Sequence, residues 1–131
     1  MFELVDKVED YPLFLPWCVA AEIRSRDEKI TLATIHINYH HLKLNFTTLN
    51  NKDFPTFIKM VLHEGPFNHL DGHWHFIRLN DEACKIEFGL QYQFSSKIVE
   101  KLGGPIFNYI ANNLVHAFIK RAEKIYGDNV D

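Results

Sequence analysis

The sequence predicts an α+β domain in which a curved antiparallel sheet packs against one long C-terminal helix. Three observations carry this. Residues 83–94, ACKIEFGLQYQF, alternate apolar and polar side chains, the period-two pattern of a strand with one buried and one wet face. Shorter runs of the same kind precede it, separated by turn residues. Beyond Ser95 the period changes: Ile106, Ile110, Leu114, Phe118 and Ile125 recur at helical spacing, with Ala111, Ala117 and Ala122 as small neighbours.

Taken in order, Phe2, Val5 and Val8 predict a short N-terminal helix that Pro12 stops. The loop YPLFLPWC follows, with Phe14, Leu15 and Trp17 too apolar to stand in water without a packing or binding role. Strands are expected over residues 21–26 and 29–38, then a hairpin tip at Tyr39-His40-His41 and a return strand alternating from Leu42 to Thr48. Residues 56–63 form the next strand, broken by Gly65-Pro66. Residues 70–79 follow, with a turn at Asn80-Asp81 before the last strand. Ser95 or Ser96 caps the final helix and Gly127 ends it. Gly103-Gly104-Pro105 conflicts with helix, since each Gly costs about 1 kcal/mol and an interior Pro about 3 kcal/mol relative to Ala. A kink or break is expected there, with Pro105 opening the main segment.

The half-buried sheet needs a cover, and only the last helix is long enough to supply it. A curved sheet around one helix leaves an apolar space, the kind of place where small ligands bind. The 131 residues fit a single domain spanning 1–131, and 47% hydrophobic content supports a real core.

Bulk charge is −3 with His neutral, which gives no reason to expect DNA as a partner. The two cysteines, Cys18 and Cys84, lack metal-site or disulfide spacing. No apolar run reaches the ~18 residues of a membrane span, and acidic residues stand where a signal peptide carries basic ones.

The stretch GPFNHLDGHWHF, residues 65–76, places His69, Asp71, His73 and His75 on one strand face. Such residues are metal ligands by type, but side chains two apart on a strand stand roughly 6.5 Å apart at the backbone, so a site would need help from His36 or His63 on a neighbour. The opposite face carries Leu70, Trp74 and Phe76 and must face the core. The histidines are therefore expected on the solvated side, with no metal.

Together with ACKIEFGLQYQF, AFIKRAEKIYG (residues 117–127) and VEDYPLFLPWC (residues 8–18), that stretch resembles one family over essentially the whole chain. It is the family of the mitochondrial coenzyme Q-binding protein and the bacterial ribosome-association toxin, within the START-like polyketide-cyclase and lipid-transfer superfamily. The resemblance implies a helix-grip fold and a cytoplasmic bacterial protein with peripheral contact at the inner membrane. Family members begin with a strand ahead of the segment matching MFELV, so the first family strand is expected to be missing. The last strand would then show a free edge that invites pairing with a second copy.

For the cavity, the lining is expected to draw on Trp74, Phe76, Phe88, Leu90, Tyr92 and Phe94 from the sheet and Ile106, Ile110, Asn113 and Leu114 from the helix. Phe14 and Trp17 would close its mouth. The ligand implied is a polyisoprenoid quinone such as ubiquinone, or a similar lipid, bound without catalysis and without a cofactor beyond it. Burial gains ~0.8 kcal/mol per methylene, so such a site needs no charged contact. The alternative is a ribosome-association toxin, which implies contact with the large ribosomal subunit through basic side chains. Lys120, Arg121 and Lys124 at the helix end are one candidate patch, and Arg24, Arg26 and Lys29 a second. A lesser alternative is a cyclase. It has little to work with: Tyr92 and Asn113, flanked by Tyr109, are the only polar groups expected to face inward, and no activated nucleophile is readable.

Overall fold

A computed structural model describes residues 1–126 of the chain. It begins with helix α1 (Phe2–Asp6) and a 3-10 turn (Val8–Leu13), followed by β1 (Cys18–Arg26), β2 (Ile30–Tyr39), β3 (Leu42–Asp53), β4 (Phe57–Glu64), β5 (Phe67–Arg78) and β6 (Cys84–Phe94). Helix α2 (Lys97–Tyr126) closes the order. The six strands form one antiparallel sheet in sequence order, leaving β1 and β6 at its edges.

The sheet is bent by its own irregularities. Register shifts fall between Cys18 and Ala20, between Ile23 and Ser25, at Thr47–Thr48 and between Phe67 and His69. An extra residue on one strand increases local twist and bends it, which turns a flat ribbon into a trough. The concave face follows from strand alternation. Ala33, Ile35 and Ile37 lie on it from β2, Ile58 and Met60 from β4, Leu70, Trp74 and Phe76 from β5, and Phe88 faces Trp74 across the β5–β6 ladder.

α2 lies in the trough and buries Phe107, Ile110 and Phe118, while Ile125 remains exposed. Two apolar clusters result. One gathers Trp74, Phe76 and Phe118 beneath α1 and the 3-10 turn. The other gathers Phe67, Leu70, Phe94, Phe107 and Ile110 around the first half of α2. Trp17 and Ile35 touch both.

Several boundaries differ from expectation. Pro12 does not end the first element but sits within the 3-10 turn, where the Tyr11 carbonyl accepts from the N–H groups of Phe14 and Leu15. β3 runs on to Asp53 through Asn50 and Asn51, residues with poor strand propensity, because β2 and β4 pair with it on both sides. The final helix passes through Gly103-Gly104-Pro105 without a break. Pro105 forfeits one backbone hydrogen bond, and the glycine at 103 is what lets the helix lie close against Leu42. Ser96 is the capping serine, its hydroxyl accepting from Val99 N–H at 3.4 Å. Gly127 lies outside the described residues.

Candidate ligand cavity

Where the two clusters meet, they do not fill the trough. A cavity of ≈ 80 Å³ remains between sheet and helix. Its floor is Ala33, Ile35 and Ile37 of β2, Phe46, Thr48 and Asn50 of β3, Met60, Leu70, Trp74, Phe88 and Leu90. Phe107, Ile110, Ala111, Leu114 and Phe118 of α2 form the roof, Val8 and Tyr11 close it beneath the 3-10 turn, and Trp17 completes the lining.

Aromatic rings frame the hollow. Phe118 is fully buried and meets the rings of Tyr11, Phe14 and Trp74 edge-on, each at 5.2 Å between centroids. The Tyr11 hydroxyl donates to the Val5 carbonyl, and burial pushes its pKa well above the ordinary phenol value. It therefore offers the cavity a ring and no proton. Gly65 allows the chain to turn tightly behind the wall: its φ is +155°, and a Cβ there would stand 2.7 Å from Phe46 Cβ.

Of the expected lining residues, Trp17, Trp74, Phe88, Leu90, Ile110 and Leu114 come together around this cavity. The others lie elsewhere. Phe76 sits one pair further along β5, packed against Phe2 at 5.8 Å. Tyr92 and Phe94 lie at the opposite end of β6, against Phe107 at 4.7 and 5.7 Å, and the Tyr92 hydroxyl donates to Asn108. Ile106 is half-buried at the flank of that cluster, and Asn113 points outward, its amide donating to the Tyr109 carbonyl at 2.7 Å. The reason is geometric. A helix turns 100° per residue, so the face carrying Phe107, Ile110, Ala111 and Leu114 leaves Ile106 and Asn113 at its margins. The strands, in turn, are longer than the hollow. The contributions of β2, β3 and the 3-10 turn were not anticipated, although residues 29–38 and 42–48 carry the alternation that announces an inward face.

Phe14 belongs to an outer groove, lined also by Leu13, Trp17, Tyr39, Tyr109, Asn113, His116, Lys120, Arg121 and Lys124. Trp17 and Ile110 border both groove and cavity. The Arg121 guanidinium lies 5.1 Å above the Phe14 ring, within cation–π range. The second basic patch is dispersed: Arg26 is held by Glu9 at 2.6 and 2.8 Å, and Arg24 Nε donates to Thr34 at 2.8 Å.

The histidines of β5 lie on the convex face. His69 contacts Asp71 at 2.6 Å, His75 contacts Glu87 at 3.3 Å, and the His73 ring stacks on Phe57. No helix among the described residues is long and apolar enough to cross a membrane.

This architecture recurs in known proteins. The model of the polyketide cyclase / dehydrase and lipid transport family matches residues 1–119. The chain belongs to that family. The ribosome association toxin RatA of Vibrio cholerae is 39% identical over 98% of this chain and 89% of its own length. The mitochondrial coenzyme Q-binding protein COQ10 homolog B of Xenopus laevis is 25% identical over 97% of this chain and 54% of its own. A START superfamily protein from Mycobacterium smegmatis superimposes with a TM-score of 0.74 at 17% identity, covering 95% of this chain and 88% of that one. The fold is the helix-grip: a curved six-stranded sheet holding a long C-terminal helix.

Proposed function

We propose that this protein binds a hydrophobic small molecule, a quinone or a similar prenyl lipid, between sheet and C-terminal helix, and that it does so without catalysis. The observation that carries this is the cavity itself, walled almost entirely by hydrocarbon and aromatic side chains. Packed interiors leave few voids larger than a water molecule, so an apolar hollow at this position is a candidate ligand site. Its ≈ 80 Å³ is smaller than the ~150 Å³ that accommodates benzene in an engineered cavity. Entry of a ring therefore widens it, through the half-buried Trp17, Met60 and Leu114. The name of the Xenopus relative supports a quinone. The family's description includes cyclases, but Tyr92, the tyrosine singled out for such chemistry, points away from the hollow. We place the protein in the bacterial cytoplasm, in transient contact with the inner membrane where such lipids reside.

Organic extraction of protein purified from its own cells, followed by mass spectrometry, tests this reading. A co-purifying prenyl lipid supports it. An empty protein that also fails to take up a prenyl quinone from detergent overturns it.

A second reading rests on a different observation. Lys120, Arg121 and Lys124 line one open groove, and the Vibrio relative is named for ribosome association. Binding of the large ribosomal subunit through this groove would neutralise phosphates and weaken with salt. Co-sedimentation with large subunits that is lost in the Lys120→Glu/Lys124→Glu double variant supports it, and unchanged co-sedimentation of that variant removes it.

A further inference from the structure

One end of the cavity is not hydrocarbon. Thr48 and Asn50, only 6% and 8% exposed, both line it from β3. Thr48 Oγ1 donates to Asn50 Oδ1 at 2.8 Å, which leaves the Asn50 amide nitrogen with no partner among the described residues. Directly across the β2–β3 ladder from Asn50, just outside the cavity lining, stands Thr31, fully buried, whose hydroxyl has no partner among the described residues. Unpaired polar groups in an apolar wall are costly. Two on paired positions of one inner face, with Thr48 beside them, mark a place where a ligand atom completes the hydrogen bonding.

Among the described residues, no ionised side chain lines the cavity. Lys52, the next inward position of β3, is held by Asp6 at 3.3 Å. A buried carboxylate or phosphate would therefore find no counter-charge here, and an isolated buried anion is strongly disfavoured. An Asn amide N–H is a donor, and a Thr hydroxyl serves as donor or acceptor. What they suit is a neutral oxygen on an otherwise apolar molecule.

We propose that Asn50 and Thr48, with Thr31 adjoining them behind the lining, form a head-group subsite that selects ligands by a neutral carbonyl or ether oxygen and rejects anionic lipids. The inference rests on the reading of the hollow as a ligand site and adds its selectivity. The ligand would lie with its oxygen-bearing ring at this end and its hydrocarbon toward Trp17 and Ile110, where the cavity adjoins the outer groove.

Three probes decide it: a 1,4-benzoquinone carrying one isoprene unit, the prenylbenzene of the same shape without oxygens, and decanoate. Trp17 and Trp74 report binding by fluorescence, since both line the hollow. The wild-type protein is expected to bind the quinone at least about tenfold more tightly than the hydrocarbon, and decanoate weakest of all. Asn50→Leu should weaken quinone binding by about tenfold and leave prenylbenzene unchanged within about twofold. Thr31→Val, nearly isosteric, gives the same test with less disturbance should Asn50→Leu fold poorly. Equal affinity of wild type for quinone and prenylbenzene, or quinone binding unaltered in both variants, overturns the subsite while leaving the cavity reading intact. Failure of all three probes to bind wild type overturns both.

Discussion

Gly103 of α2 and Leu42 at the start of β3 approach so closely that a Cβ on residue 103 would lie 2.4 Å from Leu42 Cδ1. Both are buried, so Leu42 has little free volume into which to turn. The contact explains a glycine inside a helix, where it costs about 1 kcal/mol against Ala. Gly103→Ala recovers that propensity but overpacks the contact, which typically costs about 1–3 kcal/mol. A net loss of about 1 kcal/mol is expected in urea denaturation. Shortening the partner by Leu42→Ala should make the same glycine substitution stabilising, as coupled neighbours do in a double-mutant cycle. If Gly103→Ala stabilises the protein with Leu42 in place, the contact does not constrain the helix.

Phe118 offers a way to enlarge the hollow. It is fully buried among three rings and forms part of the cavity roof. Phe118→Ala would cost about 3–5 kcal/mol, a large share of a small domain's stability. Phe118→Leu keeps an apolar filler and should cost about 1–2 kcal/mol. The space it opens joins the cavity, so benzene should raise the melting temperature of the variant more than that of wild type. An equal shift in both proteins would mean that the walls collapse inward and the new volume is lost.

What could be read from the amino acids was the layering; what escaped was the lengthwise position of each side chain. Alternation from Ala83 to Phe94 identified the inward set Cys84, Ile86, Phe88, Leu90, Tyr92 and Phe94, of which Cys84, at the very start of β6, is exposed instead. Nothing in that pattern says that only Phe88 and Leu90 lie over the hollow. That depends on ladder register, which places Trp74 opposite Phe88 and Leu70 opposite Tyr92. Asn50 was invisible for another reason. It extends a strand that its own propensity argues against, and only pairing with Thr31 on one side and Met60 on the other keeps it there. Pro105 misled in the same way: local preference favoured a break, and packing in the trough outweighed it.

The two cysteines should behave differently toward a thiol reagent. Cys84 is exposed at the start of β6. Cys18 is buried, and burial pushes its thiol up to about 11. Since the thiolate is the nucleophile, one equivalent of reagent should react quickly at pH 8 and the second only in denaturant. Cys84→Ser should abolish the fast phase. Two fast equivalents in the folded protein would show that the loop before β1 opens readily.

Acid should weaken the tie between the 3-10 turn and β1. Arg26 donates two hydrogen bonds to the Glu9 carboxylate and a third to the Asp6 carbonyl, and this holds Glu9 below the usual carboxylate range. A carboxyl with a depressed folded pKa binds its proton more readily in the unfolded chain. Its contribution is therefore present above the unfolded pKa and lost as pH falls through the folded value. Asp27 adds the same sign, lowered by the backbone N–H groups of Ile30 and Lys29. Glu9 and Arg26 are largely open to solvent, so Glu9→Gln should cost no more than about 1 kcal/mol at neutral pH. The gap between variant and wild type should close as pH falls from about 6 to about 3, and narrow in high salt at neutral pH. A gap that persists unchanged at the acid end would assign the loss to packing of the Glu9 side chain, with its charge contributing nothing.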